Sequence, residues 1–142
     1  LMESWLSRAA GGVALVSLLR NLLTNAMHAV NSDGTITIAI EDVGDCRTIT
    51  ISDTGPGIPR ENLDKIFEPF FSTKSPGQGT GLGLFVSRGI VEKLGGTIEV
   101  ASKIGQGASF SIRLPKQLKN TEDYNECRGE NWVEKIKSRF TA

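Results

Sequence analysis

The chain is short of cysteine, has no excess of either charge and contains no long apolar run. Its two cysteines, Cys46 and Cys127, do not have the spacing of a zinc site, so we expect free thiols in a reducing compartment. Lys plus Arg and Asp plus Glu both number 16, and this zero net charge argues against a nucleic-acid-binding protein that relies on neutralising phosphates. No apolar run approaches ~18 residues and no signal peptide is recognisable, so we expect a cytoplasmic domain without membrane contact.

The length and composition fit one globular domain. The 142 residues are enough to bury a core, and 39% hydrophobic with 23% charged residues is ordinary for such a domain. We interpret residues 1–12 as a linker or the end of a preceding segment. Residues 116–142 are interpreted as a charged C-terminal tail, either a short helix or disordered. The folded domain is therefore expected at residues 13–115.

Helix and strand patterns alternate between these limits. Residues 13–30 have helical periodicity, with leucines on one arc and a polar stripe on the other. Alternating isoleucines at residues 36–40 and 49–51 predict two strands, and Asp53 leaves the second strand on the side of the isoleucines, an unusual place for a carboxylate. A short helix, a long loop, a second helix and a closing strand pair are predicted at residues 60–66, 67–80, 82–94 and 98–114. This order favours a two-layer α/β sandwich with helices on one sheet face.

Four motifs follow one another along this pattern. They are Asn21-Leu-Leu-Thr-Asn-Ala-Met-His28, Asp53-Thr-Gly-Pro-Gly-Ile-Pro59, Ile66-Phe-Glu-Pro-Phe-Phe-Ser-Thr-Lys74 and Gly79-Thr-Gly-Leu-Gly-Leu84. In this order they resemble the N box, first glycine box, phenylalanine box and second glycine box of the catalytic, ATP-binding domain of sensor histidine kinases, in the GHKL superfamily. The resemblance runs from about Val13 to Pro115. The phenylalanine box and its Ser-Thr-Lys run look most like the nitrogen-regulatory branch.

The resemblance implies a Bergerat-type ATP-binding fold, with a mixed sheet backed by about three helices and an ATP lid over residues 67–80. It implies transfer of the γ-phosphoryl group of Mg-ATP to a histidine on a dimerisation and phosphoacceptor domain that is absent from this chain. A response-regulator receiver domain would be an indirect partner. The isolated fragment is expected to be a monomer that does not phosphorylate itself.

Asn21 and Asn25 are the candidates for binding Mg²⁺. This ion prefers hard oxygen ligands and keeps several waters, so one amide oxygen with nucleotide phosphates is a sufficient set. The i, i+4 spacing puts both amides on one helix face, which taken alone could be a solvated polar face. By resemblance, Asn25 holds the metal, and Asn21 supports it or contacts phosphate. Asparagine at position 21 cannot act as a base for water, so efficient ATP hydrolysis is not expected.

The other candidates would surround the base and the phosphates of ATP. By resemblance, Asp53 accepts a hydrogen bond from the adenine amine, although the same residues could form a simple turn after a strand. The glycines of the second box lead into a helix, whose free N–H groups favour polyphosphate. The ATP-binding candidates are Asn21, Asn25, His28, Asp53, Gly55, Gly57, Ile58, Lys74, Gly79, Thr80, Gly81, Leu82, Gly83 and Leu84. The catalytic candidates are Asn21, Asn25 and Lys74.

Two other functions stay open. A non-catalytic nucleotide-binding regulatory module would carry the same motifs, and a serine kinase or an ATPase could share the fold. The phenylalanine box argues against the serine kinase, and Asn21 argues against the ATPase. Ala108 departs from the family, which often has Ser or Thr there, so any contact from that hydroxyl would be lost.

Overall fold

The computed structural model describes residues 2–73, 79–116 and 137–140. Its elements, in chain order, are helix α1 (Met2–Val30), strands β1 (Ile36–Val43) and β2 (Cys46–Asp53), a 3₁₀ turn (Arg60–Asn62), helix α2 (Gly83–Lys93), strands β3 (Thr97–Lys103) and β4 (Gly107–Pro115), and a 3₁₀ turn (Ser138–Phe140). Most of the predicted tail at 116–142 and part of the predicted lid at 67–80 therefore lie outside the described residues.

The four strands form one antiparallel sheet in the order β1-β2-β4-β3. Ile49 and Ile51 of β2 pair with Ile112 and Phe110 of β4, so alternate apolar side chains form one continuous face. Both helices cover this face. The buried residues that meet between the two layers include Leu18, Leu22, Ile51, Val91, Phe110 and Ile112. The predicted two-layer α/β sandwich is confirmed.

The layers differ in detail from the predicted ones. Within the described residues the sheet is antiparallel rather than mixed. Its outer strand pairs are hairpins that turn at Gly44 and Gly105, and hairpin strands are antiparallel; the central strands β2 and β4 also pair antiparallel. In the part of the chain that the structure describes, two α-helices cover the sheet instead of about three. The short helix predicted at 60–66 is only the 3₁₀ turn Arg60–Asn62, followed by hydrogen-bonded turns.

Helix α1 begins at Met2, whereas the periodicity predicted a start at Val13. Its segment Gly11–Val30 has a mean hydropathy of 1.3 and, by length and composition alone, could cross a membrane, although no long apolar run was expected. Leu18, Leu22 and Ala26 of this segment are buried against the sheet. The same leucines that raise the hydropathy therefore form part of the core.

Strand β1 lies at one edge of the sheet and is exposed along most of its length. Ile38 and Ile40 pair with Ile51 and Ile49, yet 53% and 66% of their surfaces are exposed. Neither helix therefore extends far enough sideways to cover the apolar side of the edge strand.

Cys46, the first residue of β2, is buried and forms a disulfide. The expectation of free thiols is therefore wrong for this residue. Disulfide formation depends on distance in space, which the sequence separation used for that prediction does not report. Cys127 lies outside the described residues.

Candidate nucleotide-binding site

A cavity of about 1010 Å³ opens between α1, the end of β2 and the start of α2. The motifs supply most of its wall. From the predicted set, the lining residues are Asn21, Asn25, His28, Asp53, Gly57, Ile58, Gly79, Thr80, Gly81, Gly83 and Leu84. Gly55 and Leu82 do not line it, and Lys74 lies outside the described residues. Segments that are far apart in sequence thus meet around one space.

One face of α1 forms the polar wall. Asn21 and Asn25 lie there one turn apart, as their spacing predicted, and His28 follows. The sequence prediction missed Ser17 and Arg20, which line the cavity on the same face of α1, one turn before Asn21 and Thr24 respectively. The same helical spacing, extended back by one turn, would have found both. Of the two, Arg20 has the larger effect on the electrostatics of the cavity, because it adds a positive charge beside the polar wall.

Asp53 is held at the end of β2 with only 8% of its surface exposed. Its Oδ1 atom accepts hydrogen bonds from the backbone N–H groups of Gly55, at 2.9 Å, and Ala108, at 3.3 Å. These donors reduce the cost of burying the carboxylate. Neither bond uses Oδ2, which leaves that oxygen as an acceptor for a hydrogen-bond donor inside the cavity.

The first glycine box is attached to the turn between β3 and β4. The N–H of Ile58 donates to Ser102 Oγ at 2.8 Å, and that hydroxyl donates to the Gly107 carbonyl at 2.6 Å. The N–H of Gly105 donates to the Pro56 carbonyl at 2.8 Å. Gly55 packs against the Ala29 carbonyl, so its missing side chain makes room for α1. This glycine therefore shapes the wall from behind rather than facing the cavity.

The second glycine box joins the end of the phenylalanine box to α2. The N–H of Phe70 donates to the Gly81 carbonyl at 2.9 Å, and Gly81 has a positive φ of 69°. A side chain at position 81 would collide with the Phe70 backbone. Phe67 packs edge-to-face on Phe110, with ring centres 6.5 Å apart, and so anchors the phenylalanine box to the sheet.

The cavity wall has few side-chain atoms that could bind Mg²⁺. Among the described residues, no cluster of three or more His, Cys, Asp or Glu side chains could hold a metal ion. The amide oxygens of Asn21 and Asn25 are hard ligands, but too few to complete a shell by themselves. These residues therefore fit Mg²⁺ only together with ligands that a polyphosphate and water would bring.

The match to known proteins agrees with this geometry. The family model described as histidine kinase-, DNA gyrase B- and HSP90-like ATPase matches residues 11–118, and the chain belongs to this family. Within it, the chain is similar to the catalytic domain of the histidine kinase ThkA, with a TM-score of 0.65 and 39% identity over 73% of this chain and 67% of that one. The fold is that of the ATP-binding catalytic domain of a sensor histidine kinase.

Curated relatives point to the same class. The sensor histidine kinase ZraS of Klebsiella oxytoca is 47% identical over 102 residues, which cover 71% of this chain. The sensor kinase CckA of Brucella abortus is 38% identical over 132 residues, which cover 81% of this chain. The chain spans only 22% and 14% of the lengths of these two relatives. The narrower assignment to the nitrogen-regulatory branch stays a prediction.

Proposed function

We propose that the cavity binds Mg-ATP and that the domain transfers the γ-phosphoryl group to a histidine on the dimerisation and phosphoacceptor domain of a longer kinase. One arrangement carries the proposal. Asp53 lies at one part of the cavity wall, and the amides of α1 meet the N-terminus of α2 at another. A carboxylate oxygen for a base and N–H groups for phosphates thus share a single cavity.

Asp53 would select adenine. Its Oδ2 is open to accept a hydrogen bond from the exocyclic amine, while the Gly55 and Ala108 N–H groups hold Oδ1 in place. A guanine would present a carbonyl oxygen at the equivalent position, and two acceptors facing each other in a buried site are unfavourable. The site should therefore prefer adenine nucleotides.

The phosphates would lie between α1 and the start of α2. Backbone N–H groups of the second glycine box and the positive end of the helix dipole favour anions there. Arg20 and His28 line the same cavity. Mg²⁺, held by the amide oxygen of Asn25 with support from Asn21, would neutralise phosphate charge. Lys74 stays a proposed phosphate ligand from the sequence alone.

Phosphoryl transfer would need no covalent bond to a residue of this domain. A neutral imidazole nitrogen of the acceptor attacks the γ-phosphorus, an N–P bond forms, and ADP leaves with the electrons of the broken P–O bond. Asn21 cannot take a proton from water, which favours transfer to the imidazole over hydrolysis. The residues of this chain would bind, orient and shield the phosphates during this step.

We place the functional unit at residues 13–115, with residues 1–12 and 116–142 outside it. The domain would act in the cytoplasm, as a monomer when isolated. A response-regulator receiver domain would receive the phosphoryl group from the acceptor histidine rather than from this chain.

Calorimetric titration tests the site. ADP and a non-hydrolysable ATP analogue, each with and without Mg²⁺, are titrated into the wild-type chain, Asp53→Asn and the exposed control Asp64→Asn. We expect adenine-specific binding that collapses in Asp53→Asn and is unchanged in Asp64→Asn. Absence of binding to the folded wild-type chain would refute the proposal.

A second experiment separates a kinase from a binding module. A separately expressed phosphoacceptor hairpin from a relative such as ZraS is added with γ-labelled ATP, and label on its histidine is measured. Transfer identifies a kinase. Tight nucleotide binding without transfer, under conditions in which the relative's own catalytic domain labels the hairpin, identifies a regulatory module.

A further inference from the structure

Ser87 is a buried hydroxyl at the contact between the two helices. It lies in the second turn of α2, has no exposed surface and does not line the cavity. Its Oγ is 2.7 Å from the Gly83 carbonyl oxygen and 3.3 Å from Nδ2 of Asn21. Asn21 Nδ2 is also 3.5 Å from the Gly83 carbonyl. Three polar groups therefore converge where α1 meets the start of α2.

The chemistry of this cluster fixes the direction of each bond. A carbonyl oxygen only accepts hydrogen bonds, so the single proton of the Ser87 hydroxyl goes to Gly83. The hydroxyl then has only lone pairs to offer Asn21. Both neighbours of the Asn21 amide are acceptors on this side, and the amide must present its NH₂ group to α2. Its Oδ1 atom consequently points away from α2.

We propose that Ser87 is a positioning residue that fixes the amide orientation of Asn21, so that Oδ1 is presented to the metal–phosphate part of the cavity. The inference rests on the proposed function, because it assigns a use to the oxygen. Asn21 and Gly83 both line the cavity, whereas Ser87 lies behind them. Ser87 therefore acts on the bound nucleotide only through its neighbours.

The orientation matters because the two ends of an amide have opposite properties. Oδ1 can bind Mg²⁺ or a metal-bound water, whereas an NH₂ group there would repel the cation. Without Ser87, the long 3.5 Å contact with the Gly83 carbonyl is the only described hydrogen bond that holds the amide. Loss of the hydroxyl should therefore let the amide turn, and the Mg²⁺-dependent part of nucleotide affinity should fall.

The test compares Ser87→Ala and Ser87→Thr with the wild-type chain. Ser111→Ala is the matched control, because Ser111 is equally buried and bonds Thr50 at 3.0 Å on the other face of the sheet. Calorimetry gives the affinity for an ATP analogue with and without Mg²⁺. We expect Ser87→Ala to reduce the Mg²⁺ enhancement about 2- to 10-fold. Mg²⁺-free affinity should stay near the wild-type value, and Ser87→Thr, which keeps the hydroxyl, should restore the enhancement.

An NMR measurement covers the case in which threonine does not fit. Exchange of the Asn21 side-chain NH₂ protons with water needs no nucleotide, and we expect it to be faster in Ser87→Ala than in wild type or Ser111→Ala. Unchanged exchange with an unchanged Mg²⁺ enhancement would overturn the inference. Equal losses with and without Mg²⁺ would also overturn it, since they indicate a purely structural role. If wild type binds no nucleotide, the proposed function fails, and the exchange rates still decide whether Ser87 orients Asn21.

Discussion

Asp53 and Ala108 are joined by a hydrogen bond of 3.3 Å from the Ala108 backbone N–H to Asp53 Oδ1, although they are 55 positions apart in sequence. The bond uses the main chain of residue 108, so this support of the carboxylate does not depend on the side chain there. The departure from Ser or Thr at this position therefore leaves the orientation of Asp53 intact. What the bond does require is that the start of β4 stays close to the end of β2.

Gly107 allows the start of β4 to approach the end of β2. Its φ is 88°, and a side chain on it would collide with the Asp53 carbonyl oxygen. We expect Gly107→Ala to lose the Ala108 bond, weaken nucleotide affinity and lower the free energy of unfolding. Gly105→Ala is the control, because Gly105 has a similar φ of 83° but open space around it. It should cost about 1–2 kcal/mol of stability and leave affinity unchanged. Urea unfolding and calorimetry would show this contrast, and equal affinities in both variants would contradict it.

Asn21→Asp should weaken the contact between α1 and α2. The carboxylate cannot donate, so it would face the Gly83 carbonyl as one acceptor against another. We expect a loss of about 1–3 kcal/mol in the free energy of unfolding. Asn25→Asp is the comparison, since no described hydrogen bond ties Asn25 to α2. Thermal unfolding without nucleotide measures both variants, and equal stability of the two would count against the described contact.

Arg20→Gln should weaken binding of the phosphates rather than of the base. The variant removes a positive charge from the cavity wall while keeping most of the side-chain length. Because the side chain is exposed, we expect an effect of only about 2- to 5-fold on affinity for the ATP analogue. The effect should shrink as salt is added. Adenosine affinity and the exposed control Arg60→Gln should show no change, and a matching loss for adenosine would argue against a phosphate contact.

Asp42 offers a test of the fold by pH, away from the cavity. Hydrogen bonds from Arg47, at 2.7 and 3.0 Å, lower the pKa of Asp42 from 3.8 to about 2, with a smaller contribution from Lys116 and against some desolvation. Since the folded-state pKa is lowered, the interaction stabilises the protein above pH 3.8 and is lost as the pH falls towards 2. NMR titration of the Asp42 carboxyl should show a midpoint near 2 that rises towards 3.8 in Arg47→Gln. An identical midpoint in both proteins would contradict the prediction.

Periodicity correctly predicted which residues of a single helix or strand face the core. The leucine arc of α1 identified Leu18 and Leu22, which are buried in the core. The parity of Asp53 with Ile49 and Ile51 predicted a carboxylate on the apolar side of β2, and the structure places it there, 8% exposed. In each case the deciding information lies within a few residues, where helix and strand geometry are fixed.

Periodicity could not predict contacts between segments that are far apart in sequence. Asn21 and Ser87 are 66 positions apart, and neither residue type signals that the other is its partner. The alternating isoleucines of β1 had the pattern of a half-buried strand, yet Ile38 and Ile40 are 53% and 66% exposed. Exposure at a sheet edge depends on how far the helices extend sideways, which the strand pattern does not report. Cys46 likewise formed a disulfide that cysteine spacing did not predict.

The hydrogen bond between Phe70 and Gly81 limits how the phenylalanine box can move. Phe70 has a φ of 67°, a conformation that costs a bulky residue about 1–2 kcal/mol, and its N–H is bonded to the Gly81 carbonyl. This hydrogen bond therefore links the phenylalanine box to the second glycine box and holds Phe70 in a strained backbone conformation. Breaking the bond would let the Phe70 backbone relax, whereas Gly81 adopts its positive φ without strain. The phenylalanine box can therefore move away from the second glycine box only after this hydrogen bond breaks.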